Sequence, residues 1–239
     1  MKIISINVNA WAHILSNESF GNRLNRILNY VREASPDIIC LQEMLAGKHK
    51  KYINQLRRDL PYYEVILPQF DIDQHWKSVI SVICIKKSLL TQYDLSVLTL
   101  PGFELTNRYN YISLGNDCRL LNIHIPQTSE FSGAAKWYVQ ERLRLSAVCW
   151  EAVEKECFDY RGKMILVGDM NENAHSANIV KLIADGYTRI GFYDPDIIDH
   201  VLLSPAADLV YRHRRVRVDD TVSTVDMLTD HPMVVANIA

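Results

Sequence analysis

Short runs of apolar and β-branched residues recur along the chain and predict buried strands. The runs are Lys2 to Asn9, Ile38 to Gln42, Val79 to Ile85, Arg119 to Ile125, Met164 to Val167, Val201 to Leu203 and Met233 to Ile238. Runs of this length and composition are typical of strands that are buried on at least one face. The sequence therefore predicts a core built largely from β-sheet.

Two stretches instead repeat their apolar residues at the helical spacing. Residues 24–31 place leucine, isoleucine and valine at positions i, i+3, i+4 and i+7 of an amphipathic helix, which Pro36 ends. A second such pattern predicts a long helix over about 137–156. Strands and helices alternate at both ends of the chain, which predicts an α/β fold with a mixed sheet flanked by helices. With 239 residues, 48% of them hydrophobic, and no repeat or linker, we expect a single domain over 1–239.

Charge and composition narrow the classes of protein. The formal net charge is -2, so any nucleic acid must be held by a local patch of basic residues. The N-terminus has no signal-peptide pattern and no apolar run reaches the roughly 18 residues of a membrane span, which predicts a soluble, cytoplasmic protein without a membrane partner. Five scattered cysteines without a C-x-x-C pair favour buried, reduced thiols over zinc ligands or disulfides.

Polar residues stand at the carboxyl ends of the predicted strands or just beyond them. They are Asn7, Glu43, His124, Asp169, Asn171, Asp199, His200, Asp230 and His231. Strand ends are where α/β proteins build their sites. Taken singly, each has an ordinary explanation: a satisfied strand-end amide, a solvated carboxylate or a half-buried core imidazole. The segments around Asp169 and Asp230 are equally typical of polar turns.

Together, these residues supply what hydrolysis of a phosphate ester requires. That reaction needs a hard cation with oxygen ligands, a positioned water, and donors for the charge that develops on the phosphoryl oxygens. Glu43, Asp169 and Asp230 offer carboxylates suited to Mg²⁺. The imidazoles and amides offer donors or a base, and Asp199 would fix the tautomer of His231. The combination predicts a divalent-metal-dependent phosphodiesterase.

Six segments, in this order, resemble the endonuclease/exonuclease/phosphatase superfamily, which includes abasic-site endonucleases, pancreatic-type deoxyribonucleases, sphingomyelinases and inositol-polyphosphate phosphatases. The segments are KIISINVN, PDIICLQE, LLNIHIPQ, ILVGDMN, IDHVLLS and TDHPMVV. None is specific alone, but together they extend from Lys2 to Ile238. The resemblance implies a four-layer sandwich of two packed mixed β-sheets flanked by helices, with the site at one end.

The resemblance also implies a metal centre. Glu43 would be the principal metal ligand, Asn7 would lie near the metal and the scissile phosphate, and Asp230 would complete the metal shell. The metal would be Mg²⁺, with Mn²⁺ as a substitute. Asp169 would orient or deprotonate the attacking water, or hold a second metal, since family members are described both ways. His200 would have a structural or supporting role.

The remaining residues would contact the phosphate. By the resemblance, Asn171 and His124 would contact phosphoryl oxygens, and His231 would lie beside the phosphate, oriented by Asp199. Pancreatic-type deoxyribonucleases pair the histidine at the position of His124 with a glutamate on a middle strand. Residues 76–80 offer no carboxylate for this pairing. We therefore expect His124 to act as a neutral donor.

The substrate class is the least determined of these expectations. The opening segment and NIHIPQ are most similar to abasic-site and retroelement-type endonucleases, which favours DNA as the substrate. Two dense basic segments, Lys48–Lys51 and Arg212–Arg215, would hold the DNA backbone, with Arg214 and Arg215 as substrate-binding residues. The alternative for each segment is a solvated helix face or an exposed strand.

Other readings stay open at this stage. Trp11, Tyr109, Trp137 and Tyr138 would either stack on bases or pack in the core. The same chemistry could act on a different ester, as a phosphatase or as a phosphodiesterase for a lipid, nucleotide or inositol phosphate. A catalytically silent binding module would have lost at least one of the site residues, and all of them are present. Nothing in the sequence indicates an obligate protein partner.

Overall fold

A computed structural model describes residues 1–10, 18–75, 77–103, 106–115, 118–128, 135–190, 196–211, 214–221, 223 and 226–239. The strands are β1 (Lys2–Asn7), β2 (Ile38–Leu45), β3 (Tyr63–Ile66), β4 (Val79–Lys86), β5 (Leu95–Leu98), β6 (Tyr109–Leu114), β7 (Cys118–His124), β8 (Lys163–Asp169), β9 (Thr188–Arg189), β10 (Asp199–Leu203), β11 (Arg214–Asp219) and β12 (Met233–Ile238). The helices are α1 (Phe20–Ala34), α2 (Lys51–Asp59), α3 (Lys87–Leu90), α4 (Lys136–Asp159), α5 (Ala177–Ala184) and α6 (Pro205–Val210). Trp11, Trp76, Arg212 and His213 lie outside the described residues.

The described strands form two mixed sheets of six strands each. Sheet A has the order β11-β12-β1-β2-β4-β3, and sheet B has the order β5-β6-β7-β8-β10-β9. Each sheet contains one central parallel pair, β1 with β2 and β7 with β8, among antiparallel neighbours. The strands at the centre read as continuous apolar runs because both of their faces are covered.

Three apolar layers hold the sandwich together. Between the sheets, side chains such as Cys40 and Ile83 of sheet A pack with Ile165 and Val201 of sheet B. The outer face of sheet A is covered by α1 and α2, and the outer face of sheet B is covered by α4 and α5. The fold is therefore the four-layer α/β sandwich that the resemblance implied.

The predicted helices are present and end where local chemistry requires. In α1, Ser19 caps the first turn by accepting from the backbone N–H of Asn22, and Ser35 takes a left-handed conformation just before Pro36. The apolar face of α1 is fully buried against sheet A.

Among the described residues, no helix is long and apolar enough to cross a membrane. All five cysteines are buried free thiols.

Candidate active site

Strand ends from both sheets meet at one end of the sandwich. Asn7 is the last residue of β1, and Asp169 is the last residue of β8. The Nδ2 atom of Asn7 donates to Oδ2 of Asp169 at 2.9 Å, which joins sheet A to sheet B. His124 ends β7 and lies opposite Asp169 in the parallel register. The parallel pairs thus bring four carboxyl ends of strands to one place.

Gly168 allows the two central strands of sheet B to approach at this point. Its φ is +136°, and a Cβ atom there would lie 2.0 Å from the carbonyl oxygen of Ile123. Backbone atoms cannot yield to such a contact, so only glycine fits. The close approach of β7 and β8 places the side chains of His124 and Asp169 beside each other.

Three residues of the site have left-handed backbone conformations. Their φ angles are 35° at Asn9, 51° at Glu43 and 50° at Asn171. In β2, the register shifts between Leu41 and Met44, so the bulge at this point reorients Glu43. Non-glycine residues adopt this conformation at an energetic cost, and such costs cluster at functional sites.

Asp169 lies at the centre of the cluster. Its Oδ1 accepts from the backbone N–H of Asn171 at 2.9 Å, which is the Asx turn that the sequence allowed. Its Oδ2 lies 3.7 Å from Nε2 of His124 and 3.8 Å from Nε2 of His231. Burial, followed by the nearby charge of Asp199, raises the pKa of Asp169. A carboxylate with a raised pKa is suited to exchange a proton with water.

His231 and Asp199 form a dyad next to Asp169. The Nδ1 atom of His231 lies 2.9 Å from Oδ2 of Asp199, and its Nε2 lies 3.8 Å from Oδ1 of Asp230. Burial opposes the charged imidazolium, but Asp199, Asp169 and Asp230 outweigh it and raise the pKa of His231 to about 10. His231 is therefore a cationic donor at neutral pH.

His124 has the opposite environment. Its Nδ1 lies 3.0 Å from Nη1 of Arg108, and its Nε2 lies 3.3 Å from Oε1 of Glu43. Burial, together with the charges of Arg108, His231 and Arg142, lowers the pKa of His124 well below its ordinary value. The lowered pKa favours the neutral ring.

Loop contacts hold the carboxylate of Asp230 in place. Asn9 donates from Nδ2 to Oδ1 of Asp230 at 2.7 Å. The buried guanidinium of Arg23 donates to the carbonyl oxygens of Asn9, Ala10 and Leu228 and so ties together the loops that follow β1 and precede β12. Sequence reasoning missed Arg23 and Asn9.

The chain is similar to members of a known protein family. The family model for the endonuclease/exonuclease/phosphatase family matches residues 6–231. The chain belongs to this family. Members of the family are phosphoester hydrolases that typically depend on a metal ion. No significant match was found among curated proteins.

Solved structures share the fold over the whole chain. A variant of the 3' phosphatase NExo from Neisseria, bound to a product DNA hairpin, has 20% identity and a TM-score of 0.65, with 100% of this chain and 99% of that chain covered. An AP endonuclease from Archaeoglobus fulgidus has 18% identity and a TM-score of 0.67, with 100% and 99% covered. A humanized D. rerio TDP2 has 16% identity and a TM-score of 0.62, with 100% and 98% covered. At these identities the likeness concerns the fold.

The donor set of this family member fits a hard divalent cation. Burial raises the pKa of Glu43, and the charge of Asp230 raises it further. Burial and the charge of Asp199 likewise raise the pKa of Asp169. A cation with oxygen ligands would relieve this excess of buried negative charge. Ligand atoms of Asp169, Asp199 and His231 lie within 4.8 Å of one another. Since Nδ1 of His231 already bonds Asp199, these three also fit proton handling.

The structure does not bring Arg214 and Arg215 to the site, which corrects their expected role. Both lie on β11, an edge strand, where Arg214 pairs with Ile238 and Arg215 with Asn237. This end of sheet A is the end where β1 begins, about five residues or roughly 17 Å from Asn7. Arg214 forms an ion pair with Asp208. The alternative of an exposed strand therefore accounts for Arg214 and Arg215.

The other basic segment and two aromatic side chains lie nearer the site. Lys48 to Lys50 form a short 3-10 turn just after β2, the strand that carries Glu43. Trp137 is 70% exposed and Tyr138 is 40% exposed in the first turn of α4. Tyr109 is instead a core residue whose hydroxyl accepts from Leu100 N–H.

His200 supports the site from within β10. It is fully buried, its Nδ1 accepts from Nε of Arg189 at 3.0 Å, and its Nε2 lies 2.6 Å from the carbonyl oxygen of Glu172. Burial lowers the pKa of His200 to about 4. Its contacts are with backbone and an arginine, which agrees with the structural role expected from the sequence.

Proposed function

We propose that this chain is a divalent-metal-dependent phosphodiesterase, acting as one catalytic domain, that uses Mg²⁺ or Mn²⁺ to hydrolyse phosphodiester bonds of DNA. The observation that carries the proposal is the position of Asp169 between two imidazoles, with its Oδ2 at 3.7 Å from Nε2 of His124 and at 3.8 Å from Nε2 of His231. The pKa of His231 is raised and that of His124 is lowered, which favours a charged donor and an uncharged donor next to one buried carboxylate.

The cation would be held by Glu43 and Asp230, with the side-chain oxygen of Asn7 close by. When bound, it supplies positive charge to a phosphoryl oxygen and neutralises the charge that develops there. Asn7 has a second task, since its Nδ2 already orients Asp169. Within the described residues, Oδ1 of Asp199 is buried without a hydrogen-bond partner, which leaves another acceptor at the edge of the site.

The protein side chains would manage the proton and the phosphate. Asp169 is placed to accept a proton from the attacking water, because its raised pKa brings it closer to neutral pH. His231 would donate to the phosphate as an imidazolium that Asp199 holds in place. His124 would donate from Nε2 to a non-bridging oxygen. Asn171 uses one amide hydrogen on the carbonyl oxygen of Ile125, and the second remains for the phosphate.

Local charge and exposed rings support DNA as the substrate. Lys48 and Lys51 are exposed just beyond β2, at the end of the sandwich where Glu43 lies. Arg142, in the second turn of α4, lies close enough to Glu43 and His124 to act on them electrostatically. The exposed Trp137 precedes it in the same helix and offers a stacking surface for a base.

A smaller phosphate ester is the second candidate. The net charge of -2 and the distant position of Arg214 and Arg215 leave fewer cations for a long backbone than the sequence suggested. A substrate with one phosphate needs only the central cluster. Phosphatase or phosphodiesterase action on a nucleotide, lipid or inositol phosphate would use the same side chains.

One assay separates the two candidates. Purified protein is incubated with supercoiled plasmid, a duplex with an abasic site, and a chromogenic phosphodiester, each with Mg²⁺ and with a chelator. Nicking of either DNA that needs Mg²⁺ supports the first candidate, and cleavage of the small ester alone supports the second. Failure on all three substrates with Mg²⁺ and with Mn²⁺ would refute both.

Two variants show whether the activity belongs to this site. Asp169→Ala and His231→Ala should each lose at least about 100-fold in turnover, because each removes a group that acts in the transition state. The matched control is Asp159→Asn, which removes an exposed carboxylate that pairs with Lys155 at the far end of α4. Near-normal turnover in His231→Ala would contradict the role that we assign to it.

A further inference from the structure

The two imidazoles of the site differ in the group that lies behind Nδ1. Asp199 faces Nδ1 of His231, whereas Arg108 faces Nδ1 of His124. A carboxylate can only accept a hydrogen bond, and a guanidinium can only donate one. The 3.0 Å contact with Arg108 therefore requires a lone pair on Nδ1 of His124. In the neutral ring, the single proton then lies on Nε2.

The sheet holds the backbones of Arg108 and His124 side by side. His124 donates its backbone N–H to the carbonyl oxygen of Arg108 at 2.8 Å, which extends the β6–β7 ladder by one step. The same carbonyl oxygen accepts from Oγ of Ser81 at 3.0 Å, and the N–H of Arg108 donates to Oγ1 of Thr106. These contacts hold the backbone of Arg108 beside that of His124, which places the guanidinium within reach of Nδ1.

The Nε2 atom of His124 faces the reactive end of the cluster. It lies 3.3 Å from Oε1 of Glu43 and 3.7 Å from Oδ2 of Asp169. A proton on Nε2 is attractive to these oxygens and to a phosphoryl oxygen, whereas a lone pair on Nε2 would repel all of them. The position of one hydrogen atom thus decides whether His124 assists the substrate.

We propose that Arg108 is a positioning residue that fixes His124 as the Nε2–H tautomer, so that this N–H donates to a non-bridging phosphoryl oxygen of the substrate. The catalytic consequence depends on the proposed function. The tautomer itself does not, because it follows from the contact between Arg108 and His124. A carboxylate at the position of the Arg108 guanidinium would accept a hydrogen bond and would therefore favour the opposite tautomer, with the proton on Nδ1 of His124.

The test measures the tautomer directly by two-dimensional NMR of full-length protein labelled with ¹⁵N in histidine. His124→Gln identifies the His124 signals by their loss. The wild-type protein and Arg108→Lys should show the Nε2–H form, since lysine also can only donate. Arg108→Glu should show the Nδ1–H form or the doubly protonated ring. Arg142→Glu reverses a nearby charge without touching Nδ1 and should keep the Nε2–H form.

Activity measurements separate positioning from simple phosphate binding. Arg108→Glu should lower kcat by about 100-fold, as for loss of one transition-state donor, while Arg108→Lys should recover most of it. A rise in KM with unchanged kcat in both variants would instead mark Arg108 as a phosphate-binding residue and overturn the proposal.

Two other results would overturn it as well. They are an Nδ1–H form in the wild-type protein, and a flipped tautomer in Arg108→Glu that retains full kcat. If Arg108→Glu does not fold, the wild-type and Arg108→Lys spectra still decide the tautomer. If the wild-type protein hydrolyses no phosphate ester, the proposed function fails, while the spectra still show whether Arg108 sets the tautomer.

Discussion

The Nδ2 atom of Asn7 lies 2.9 Å from Oδ2 of Asp169, and this single hydrogen bond joins the last residue of a strand in one sheet to the last residue of a strand in the other. Both oxygens of Asp169 accept from N–H groups, which favours the ionised carboxylate. Burial and the charge of Asp199 favour the protonated form more strongly, so that the pKa of Asp169 is raised. The site holds a carboxylate that the fold makes costly to ionise.

Asp169→Asn should therefore separate stability from activity. Above the pKa of Asp169, ionisation of the buried group destabilises the folded state, and the neutral amide avoids this cost. One hydrogen bond is lost, at about 1 kcal/mol, because an amide presents only one oxygen. We expect a higher free energy of unfolding at pH 8 without metal, and turnover at least about 1000-fold lower. Urea unfolding of the two proteins measures the first quantity, and a variant less stable than the wild type would contradict it.

Mg²⁺ should stabilise the folded protein through Glu43. A ligand at 100 times its dissociation constant adds about 2.7 kcal/mol to the free energy of unfolding. Glu43→Gln keeps the shape of the side chain but removes its charge, so most of the increase in Tm caused by Mg²⁺ should disappear. Asp159→Asn, which alters an exposed carboxylate on α4, should keep the full increase. An equal increase in Tm for Glu43→Gln and the wild type would show that the cation binds elsewhere.

Acid should destabilise the protein through its buried neutral histidines. The pKa of His200 is lowered to about 4 by burial, so between pH 6.5 and 4 the unfolded chain binds a proton that the folded chain does not. Stability contributed by neutral His200 is present above pH 6.5 and is lost as the pH falls towards 4. The free energy of unfolding should fall by up to about 1.4 kcal/mol per pH unit for each such group.

His200→Gln tests this assignment. The glutamine amide can donate to the carbonyl oxygen of Glu172 and accept from Arg189, yet it does not titrate. Unfolding by urea at several values of pH should therefore show a smaller acid slope, by about one proton. The exposed His75→Gln is the matched control for loss of a surface histidine. An unchanged slope in His200→Gln would assign the acid sensitivity to other groups.

Arg23 should contribute strongly to both stability and metal binding. Its guanidinium is fully buried and donates to three backbone carbonyl oxygens in the two loops that flank Asp230. Arg23→Met would leave these carbonyls unsatisfied and should cost about 3 kcal/mol. It should also weaken Mg²⁺ binding, because Asn9 holds Asp230.

Arg26→Met is the control for Arg23, one turn later on the same helix. Arg26 is 42% exposed and forms ion pairs with Glu18 and Asp226, so its loss should cost no more than about 1 kcal/mol. Chemical unfolding and a Mg²⁺ titration of both variants provide the comparison. Similar losses in the two would mean that the loops do not depend on Arg23.

Much of the fold follows from the pattern of apolar residues. Each of the seven strands expected from an apolar run is present, as are the helix before Pro36 and the long helix α4. The strands that the pattern did not reveal are mostly short or at sheet edges, such as β3, β5, β9 and β11. In these strands only part of the surface is buried, so the alternation of apolar and polar residues is weak.

The sequence predicted less of the site where the position of a residue depends on pairing between strands. Arg108 precedes β6, and it meets His124 only because β6 pairs with β7 in a particular register. No local pattern marks that arginine. Similarly, Arg214 and Arg215 looked like candidate DNA ligands by composition, and the antiparallel register of β11 carries them to the opposite end of the sheet.

The sequence by itself determined the strand ends that carry the carboxylates, amides and imidazoles, because burial of apolar runs in strands fixes where each strand stops and polar side chains begin. It also determined, through the order of six motifs, the family to which the chain belongs. Only the tertiary structure decided that the guanidinium of Arg108 faces Nδ1 of His124, whereas the pairing of Asp199 with His231 was already expected. Protonation in a buried cluster depends on the few ångströms between side chains from distant segments, and those distances are set by strand register and sheet packing.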